Sequence, residues 1–187
     1  SANIIATEKK GYQRQFQALC NQFIKKANAS LFLKKHTKLV DSLLIKLWIK
    51  NDVSKKNTLI AVGGYGRYEL FPYSDVDILV LHNEKSLEND KNISQFITQC
   101  WDIGLKIGHS VRNISEVEEE FKADVSTATN LLEARFIFGS NDQYLKFNLT
   151  VNKIINIKKF FKEKITEQAI RHRKYRDSAY QLEPNIK

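Results

Sequence analysis

The sequence predicts an α+β fold, in which a small mixed sheet is flanked by helices and the chain has helical extensions at both ends. Two short apolar runs rich in β-branched residues predict strands at residues 58–62 and 75–81, and helical spacing dominates before and after them. The 187 residues suit one domain with extensions better than two independent domains. We therefore divide the chain into an N-terminal helical extension at residues 1–57, a core at residues 58–139 and a C-terminal helical segment at residues 140–187.

The N-terminal extension shows the three- and four-residue spacing of amphipathic helices. One helix is predicted from Thr7 to about Lys35 and a second from Thr37 to Lys50, and the two are expected to pair as a helical hairpin. The apolar positions are Tyr12, Phe16, Leu19, Phe23 and Ile24 in the first helix, and Leu39, Leu43, Leu44, Leu47 and Trp48 in the second.

The core is predicted to contain short strands separated by turns and helices. The first apolar run ends in Gly63-Gly64, which indicates a buried strand leading into a tight turn. The later predicted elements are a helix at residues 93–106, a third strand at 107–112, one or two helices from 115 to 138 ending near Gly139, and a long basic helix at 161–179.

The charge of the chain is unevenly distributed. The net charge of +9 and the isoelectric point near 9.4 admit a nucleic-acid or anionic-lipid partner. Residues 1–57 carry 12 Lys and Arg against 3 Asp and Glu, residues 58–144 carry 7 against 14, and residues 145–187 carry 11 against 4. An acidic middle is unlike a uniformly cationic nucleic-acid binder and is where metal ligands or catalytic carboxylates occur. Nucleic acid is therefore the disfavoured partner.

Several protein classes are excluded by composition and spacing. The 2 cysteines and 4 histidines show neither a disulfide framework nor the spacing of a zinc site. No apolar run reaches the roughly 18 residues of a membrane span, and the N-terminus lacks the order of a signal peptide. We expect a cytoplasmic protein without a membrane partner.

The residues that point to chemistry surround the turn between the first two strands. Gly63 and Gly64 lack side chains, so their N–H groups can approach a phosphate, especially if a helix begins at Tyr65. Asp75 and Asp77 open the second strand, where the period of two places both carboxylates on one face. Two close carboxylates repel unless a cation lies between them, and oxygen ligands suit Mg²⁺. Together the motifs predict a metal-nucleotide site, whereas a tight turn or a cap would explain each motif taken singly.

Two blocks of sequence resemble a known family. GGYGR at residues 63–67 and ELFPYSDVD at 69–77 resemble the nucleotidyltransferase signature of the DNA polymerase β-like superfamily, in the wording of its PII uridylyltransferase/uridylyl-removing branch. The resemblance covers residues 58–187 and implies a polymerase β-like nucleotidyltransferase fold. Further similar segments are WDIGLKIGHSVR at 101–112, LLEAR at 131–135, and RH at 171–172 with YRDSAYQLEPNIK at 175–187.

The resemblance implies an activity: transfer of UMP from UTP to a tyrosine of the PII signalling protein, with release of pyrophosphate, in the regulation of nitrogen metabolism. Asp75 and Asp77 would then be the catalytic carboxylates that ligate Mg²⁺, with Mn²⁺ as the alternative cation. Gly63 and Gly64 would bind the triphosphate through backbone N–H groups.

Supporting roles follow from the same resemblance. Ser74 would donate a hydrogen bond to the nucleotide, and Arg67 would either balance phosphate charge or pair with Glu69. Arg171, in the basic C-terminal segment, would help hold the triphosphate or PII, unless that segment is a solvated helix face.

One feature departs from the superfamily pattern. Its members usually carry a third carboxylate on the strand after the pair, yet residues 107–112 contain none. The third ligand or general base is therefore unassigned. His109 is a candidate that would equally suit a structural role, and Asp102 and Glu133 are others.

Two alternative functions remain open from the sequence. The same fold would serve another nucleoside triphosphate or acceptor, because the motif binds a triphosphate and does not read a base. A non-catalytic basic module that binds nucleic acid is the alternative from a different class. In the family the last segment continues into a glycine-rich stretch, so we expect the chain to be cut there, before the HD phosphohydrolase and paired ACT domains.

Overall fold

The computed structural model describes residues 2–82, 87–123, 131–154, 164–166 and 170. Residues Ser1–Val151 form one compact unit and Asn152–Lys187 form a second. The first unit therefore holds the N-terminal helices together with the sheet. The predicted domain boundaries at 57/58 and 139/140 rest on changes of sequence pattern and stay predictions.

After two N-terminal helices, the elements of the described residues alternate between strands and helices. In chain order they are α1 Ala2–Lys26, α2 Ala29–Lys50, β1 Thr58–Ala61, α3 Gly63–Gly66, β2 Val76–Leu81, α4 Leu87–Ile103, β3 Ile107–Arg112, α5 Ile114–Ala123, β4 Arg135–Gly139 and α6 Asn141–Ile154. None of these helices combines the length and the apolar character needed to cross a membrane. The basic helix predicted at 161–179 lies largely outside the described residues.

Helices α1 and α2 pack against each other, which confirms the predicted helical hairpin. The predicted bound near Lys35 is wrong, because α1 ends at Lys26. Ala27 takes a φ of 49°, and the Asn28 side chain caps α2 by accepting a hydrogen bond from the Leu31 N–H at 3.0 Å. The apolar spacing runs across this break, so periodicity alone did not reveal it.

The four strands form one mixed sheet in the order β3-β2-β1-β4. Strand β1 is antiparallel to both β2 and β4, whereas β2 and β3 are parallel. The predicted strands at 58–62, 75–81 and 107–112 correspond to β1, β2 and β3, and the α+β fold with a small mixed sheet is confirmed.

The predicted helices at 115–138 are wrong in their last part. A helix occupies Ile114–Ala123, but Arg135–Gly139 is the edge strand β4, paired with β1. Two aromatic residues and an isoleucine within five positions favour a strand. Its last residue must be glycine, because Gly139 has a φ of 108° and a Cβ there would lie 2.1 Å from the Asn57 carbonyl oxygen.

The hydrophobic core lies between the sheet and the helices α2 and α4. Trp48 of α2 meets Phe96 of α4 edge to face, with ring centroids 5.4 Å apart. Both rings are fully buried, and Ile78 and Val80 of β2 belong to the same cluster. The helical extension thus covers one face of the sheet.

His36 of α2 links the N-terminal helices to the loop before β2. Its Nδ1 donates a hydrogen bond to the Leu70 carbonyl at 2.9 Å, and its Nε2 accepts one from the Tyr12 hydroxyl at 3.3 Å. Burial lowers the pKa of His36 and so favours the neutral ring, in which the proton on Nδ1 bonds to the Leu70 carbonyl and Nε2 is free to accept from Tyr12. The loop is therefore anchored before the strand begins.

Candidate active site

One end of the sheet gathers the residues singled out by sequence. Because β1 is antiparallel to β2 and β4, and β2 is parallel to β3, the end of β1 and the starts of the other three strands lie together. Ala61 at the end of β1 pairs with Arg135, and Asp77 of β2 pairs with Gly108 of β3. The glycine turn follows directly from this end of β1.

The glycine turn is a single helical turn, α3, that begins at Gly63 rather than at Tyr65. Gly63 is buried with a φ of 57°, a conformation that favours glycine. Gly66 is equally constrained, because a Cβ there would lie 2.0 Å from the Glu133 carbonyl oxygen. Gly64 is half-buried, and the nearest atom to a Cβ at this position is 3.7 Å away. A ligand can therefore approach the backbone closely at Gly64.

A backbone hydrogen bond places the turn beside the acidic strand. The Val62 N–H donates to the Asp77 carbonyl at 3.0 Å. Asp75 lies immediately before β2 and is exposed, whereas Asp77 is the second residue of the strand and is half-buried. The two predicted motifs, which lie 11 to 14 positions apart along the chain, therefore meet in space.

The Asp77 carboxylate occupies the space above Gly108. A Cβ at residue 108 would lie 2.3 Å from Asp77 Oδ1. The pKa of Asp77 is raised, first by its burial and then by the negative charge of Asp75. The expected repulsion between the two carboxylates is thus present, and a bound cation would relieve it.

The donor set fits a magnesium ion. Mg²⁺ in nucleotide enzymes is held by one or two carboxylates together with substrate phosphates, so Asp75 and Asp77 suffice on the protein side. In the described ranges, no group of three or more His, Cys, Asp or Glu side chains is arranged to hold a metal ion. A third protein ligand is accordingly not supplied by that part of the chain.

His109 is placed away from the aspartate pair. Gly108 shares a face of the sheet with Asp77, so the next residue of β3 points to the opposite face. The His109 ring is exposed and meets Trp101 of α4, with ring centroids 5.6 Å apart. The structure therefore does not bring His109 to the carboxylates.

The other two candidates for a third carboxylate have different surroundings. The carbonyl of Asp102, at the end of α4, accepts a hydrogen bond from Lys9 of α1 at 3.1 Å. The Glu133 carboxylate forms an ion pair with Arg67. Neither contact links these residues to the aspartate pair.

Arg67 pairs with two carboxylates. Its Nε donates to Glu69 at 2.8 Å, and its Nη1 bonds to Glu133. The hydrogen bond to Glu69 is the main cause of the raised pKa of Arg67. The predicted alternative, a pair with Glu69, is thus observed, and a role in phosphate binding stays a prediction.

Ser74 and Arg171 are the two remaining residues that the sequence predicted for the site. Ser74 is exposed directly before Asp75, and its N–H donates to the Phe71 carbonyl at 3.2 Å. It is close enough in sequence to the carboxylates to serve the same ligand. Arg171 lies outside the described residues.

Sequence reasoning missed a cluster behind the glycine turn. Arg135, the first residue of β4, forms a two-point ion pair with Asp41 of α2, and the Tyr65 hydroxyl bonds to the same aspartate. One signal was available, because Asp41 is the only acidic residue of α2 and sits beside its apolar stripe. Its partner Arg135, 94 residues away, ends the LLEAR segment that resembles the family, but nothing in the sequence links it to Asp41.

Comparison with known families agrees with this geometry. A family model described as a nucleotidyltransferase domain matches residues 46–186. The chain is 45% identical over 175 residues to the bifunctional uridylyltransferase/uridylyl-removing enzyme of Hydrogenovibrio crunogenus, and 43% identical over 177 residues to that of Pseudoalteromonas translucida. The enzyme of the same description from Nitrosospira multiformis is 39% identical over 178 residues.

These alignments cover 89%, 92% and 91% of this chain but only 19%, 20% and 20% of the three relatives. The chain thus spans about a fifth of the length of the curated relatives it matches. They confirm the resemblance found in the sequence. Since the matched region contains the glycine turn, both aspartates and the whole sheet, the chain belongs to the nucleotidyltransferase domain family, a family of transferases.

Proposed function

We propose that this domain transfers UMP from UTP to a tyrosine of the PII signalling protein in the cytoplasm, with release of pyrophosphate and with Mg²⁺ or Mn²⁺ as cofactor. The observation that carries the proposal is the 3.0 Å hydrogen bond between the Val62 N–H and the Asp77 carbonyl, which holds the glycine turn beside the aspartate pair. The relatives described above are uridylyltransferases, which supports UTP. The family resemblance of the motifs supports PII as the acceptor.

The glycine turn would bind the triphosphate. The first N–H groups of a helical turn have no partner within the helix and point toward an incoming anion. Gly63 and Gly64 are the first two residues of this turn, and Gly64 is half-buried with no atom closer than 3.7 Å to where a Cβ would stand. Ser74 would add a hydroxyl donor, and Arg67 would exchange a carboxylate partner for a phosphate.

The aspartate pair would hold the divalent cation. A cation bound there would neutralise charge on the transferred phosphoryl group and on the departing pyrophosphate. Asp75 is exposed and accessible to the substrate side, while Asp77 is held in place by β2 and by the clearance at Gly108. The pair therefore combines one exposed and one half-buried carboxylate.

The acceptor tyrosine has a reference pKa of about 10, so its hydroxyl must lose a proton as it attacks. His109 faces away from the carboxylates, and we do not propose it as the proton acceptor. Titratable carboxylates around the glycine turn include Glu69 and Glu133 as well as Asp75 and Asp77, and we assign none of them as the proton acceptor.

The test is a transfer assay with labelled UTP, Mg²⁺ and PII. Wild-type protein should label PII, and the double variant Asp75→Asn, Asp77→Asn should lose labelling. The matched control is Asp142→Asn, an exposed aspartate in the first turn of α6, which should label as wild type does. Labelling by the double variant at the wild-type rate would refute the proposal.

Two arms of the same experiment address the alternatives. Competition among UTP, CTP, ATP and GTP identifies the nucleotide, and omission of PII shows whether another acceptor in the mixture is used. A nucleic-acid module predicts binding that weakens steeply with salt and is unchanged in the double variant. A nucleotide site predicts thermal protection by UTP that depends on the divalent cation.

A further inference from the structure

The ion pair between Asp41 and Arg135 joins two distant parts of the chain behind the glycine turn. Arg135 Nη1 donates to Asp41 Oδ2 at 2.8 Å, and Nη2 donates to Asp41 Oδ1 at 3.0 Å. The exposed fractions of the two side chains are 15% and 17%, so water screens the pair weakly. Such a two-point pair fixes orientation as well as distance.

The same two residues bind the turn itself. The Tyr65 hydroxyl donates to Asp41 Oδ1 at 2.5 Å, and Tyr65 is almost fully buried. Arg135 donates from Nε to the Gly66 carbonyl at 3.3 Å and from Nη2 to the Tyr65 carbonyl at 3.4 Å. Tyr65 is thereby held through its hydroxyl and its carbonyl, and Gly66 through its carbonyl.

Two neighbouring contacts close the cluster. The Arg135 guanidinium lies over the Tyr68 ring, 4.2 Å from its centroid, and over the Tyr65 ring at 5.3 Å. On the other side, the Glu133 carbonyl lies so close to Gly66 that no side chain fits between them. The turn is therefore confined from α2, from β4 and from the segment before β4.

These contacts leave Arg135 ill suited to bind a phosphate directly. All three guanidinium nitrogens already donate to Asp41 or to carbonyls of the turn. Its positive charge is balanced by the Asp41 carboxylate at hydrogen-bond distance. A direct phosphate contact would have to break this arrangement.

We infer that Asp41 and Arg135 are positioning residues that fix the Gly63–Gly66 turn in the geometry needed to receive a nucleoside triphosphate. They act through the turn and do not touch the nucleotide. Ordering the turn in advance removes part of the entropy that binding would otherwise cost. The inference rests on the proposed function, since it assigns a role within the same site.

The experiment compares Asp41→Asn and Arg135→Gln with wild type in the transfer assay, well below the lowest melting temperature of the set. Both should raise KM for UTP about tenfold, as expected for lost hydrogen bonds to charged groups. The double variant should have a KM for UTP no higher than that of the more impaired single variant, because the two residues act as one unit. The control is Lys46→Gln, which lies on α2 as Asp41 does; it breaks the ion pair between the exposed Lys46 and Glu8 of α1 and should leave KM unchanged.

Tyr65→Phe guards against variants that fail to fold, because it removes only the hydroxyl that bonds to Asp41. It should raise KM for UTP by a smaller factor than Arg135→Gln. Hydrogen exchange of the backbone amides of residues 64–67, without nucleotide, should be faster in the Asp41, Tyr65 and Arg135 variants and unchanged in Lys46→Gln. A lowered melting temperature with wild-type KM and wild-type exchange in the turn would overturn the inference.

The two proposals fail in different ways. Binding of UTP with Mg²⁺ by calorimetry replaces KM if the wild type transfers nothing. Binding of UTP by the wild type without transfer overturns the proposed function. The inference is then tested by the dissociation constants for UTP: higher values in the Asp41 and Arg135 variants support it, and wild-type values overturn it. Absence of UTP binding by the wild type overturns both.

Discussion

Gly108 lies directly opposite Asp77 in the parallel register of β3 and β2, and the Asp77 carboxylate fills the space where a side chain at residue 108 would stand. A Cβ there would come within 2.3 Å of Asp77 Oδ1. The glycine thus sets where the more buried of the two carboxylates can lie. The same contact leaves no room for a third carboxylate at residue 108, since a side chain there would collide with the Asp77 carboxylate as it now lies.

The first prediction is that Gly108→Ala impairs transfer strongly. Displacement of Asp77 by about 1 Å should lower activity about a hundredfold, because catalytic geometry tolerates little misplacement. A Mg²⁺ titration of the transfer rate measures the effect. Gly11→Ala in α1 is the matched control: no atom lies within 4 Å of its Cβ, so it should leave activity intact and raise stability by up to about 1 kcal/mol. Full activity in Gly108→Ala would contradict the assigned role of Asp77.

The second prediction concerns Asp77→Asn in metal-free protein. Because the folded-state pKa of Asp77 lies above its unfolded value, folding disfavours the ionised form, and this cost is present above the folded pKa and absent below the unfolded pKa near 3.8. Asp77→Asn should therefore raise the melting temperature at pH 8 in a chelator, with a gain that shrinks as the pH falls toward 4. Thermal melts across that range measure it, and a lower melting temperature at pH 8 would contradict the prediction.

The third prediction separates the two roles of Arg67. Exposed ion pairs contribute only about 0–1 kcal/mol, so Arg67 can leave Glu69 and Glu133 for a triphosphate at little cost. Arg67→Gln should raise KM for UTP, whereas Glu133→Gln should leave it equal or lower. Steady-state kinetics of both variants decide the matter. If both substitutions raise KM for UTP equally, UTP binding depends on the Arg67–Glu133 ion pair and not on a contact between Arg67 and phosphate.

The fourth prediction tests the break between α1 and α2. Asn28→Ala removes the capping hydrogen bond to the Leu31 N–H and should lower the free energy of unfolding by about 1 kcal/mol. Urea unfolding measures the change. Asn21→Ala, at an exposed position inside α1, is the control and should be neutral or slightly stabilising. Equal stability of the two variants would show that the cap is unimportant.

The sequence predicted strands β1, β2 and β3 and missed β4, which lies at one of the two edges of the sheet. Strands β1 and β2 are short apolar runs ended or preceded by turn residues, so local pattern is enough to find them. Strand β4 follows a helix-like stretch and pairs with β1 more than seventy residues earlier in the chain. Its formation depends on an open edge of the sheet, which local pattern does not report.

The residues of the site also fall into those that the sequence predicted and those that it missed. Gly63, Gly64, Asp75 and Asp77 are close in sequence and carry a recognisable motif, so they could be named in advance. The Asp41–Arg135 pair joins residues 94 positions apart, and only the fold brings them together. Distance along the chain, rather than chemical importance, separates what was predicted from what was missed.

The hydrogen bond from His36 to the Leu70 carbonyl bears on how this domain can be divided. His36 and Asp41 lie five positions apart on α2, and they hold the loop before β2 and the glycine turn respectively. A fragment starting at the first strand would leave the Leu70 carbonyl and the Tyr65 hydroxyl without these partners and would uncover the Trp48 side of the core. The smallest autonomous version of the domain therefore has to begin upstream of His36, although every residue of the nucleotide motif lies after residue 57.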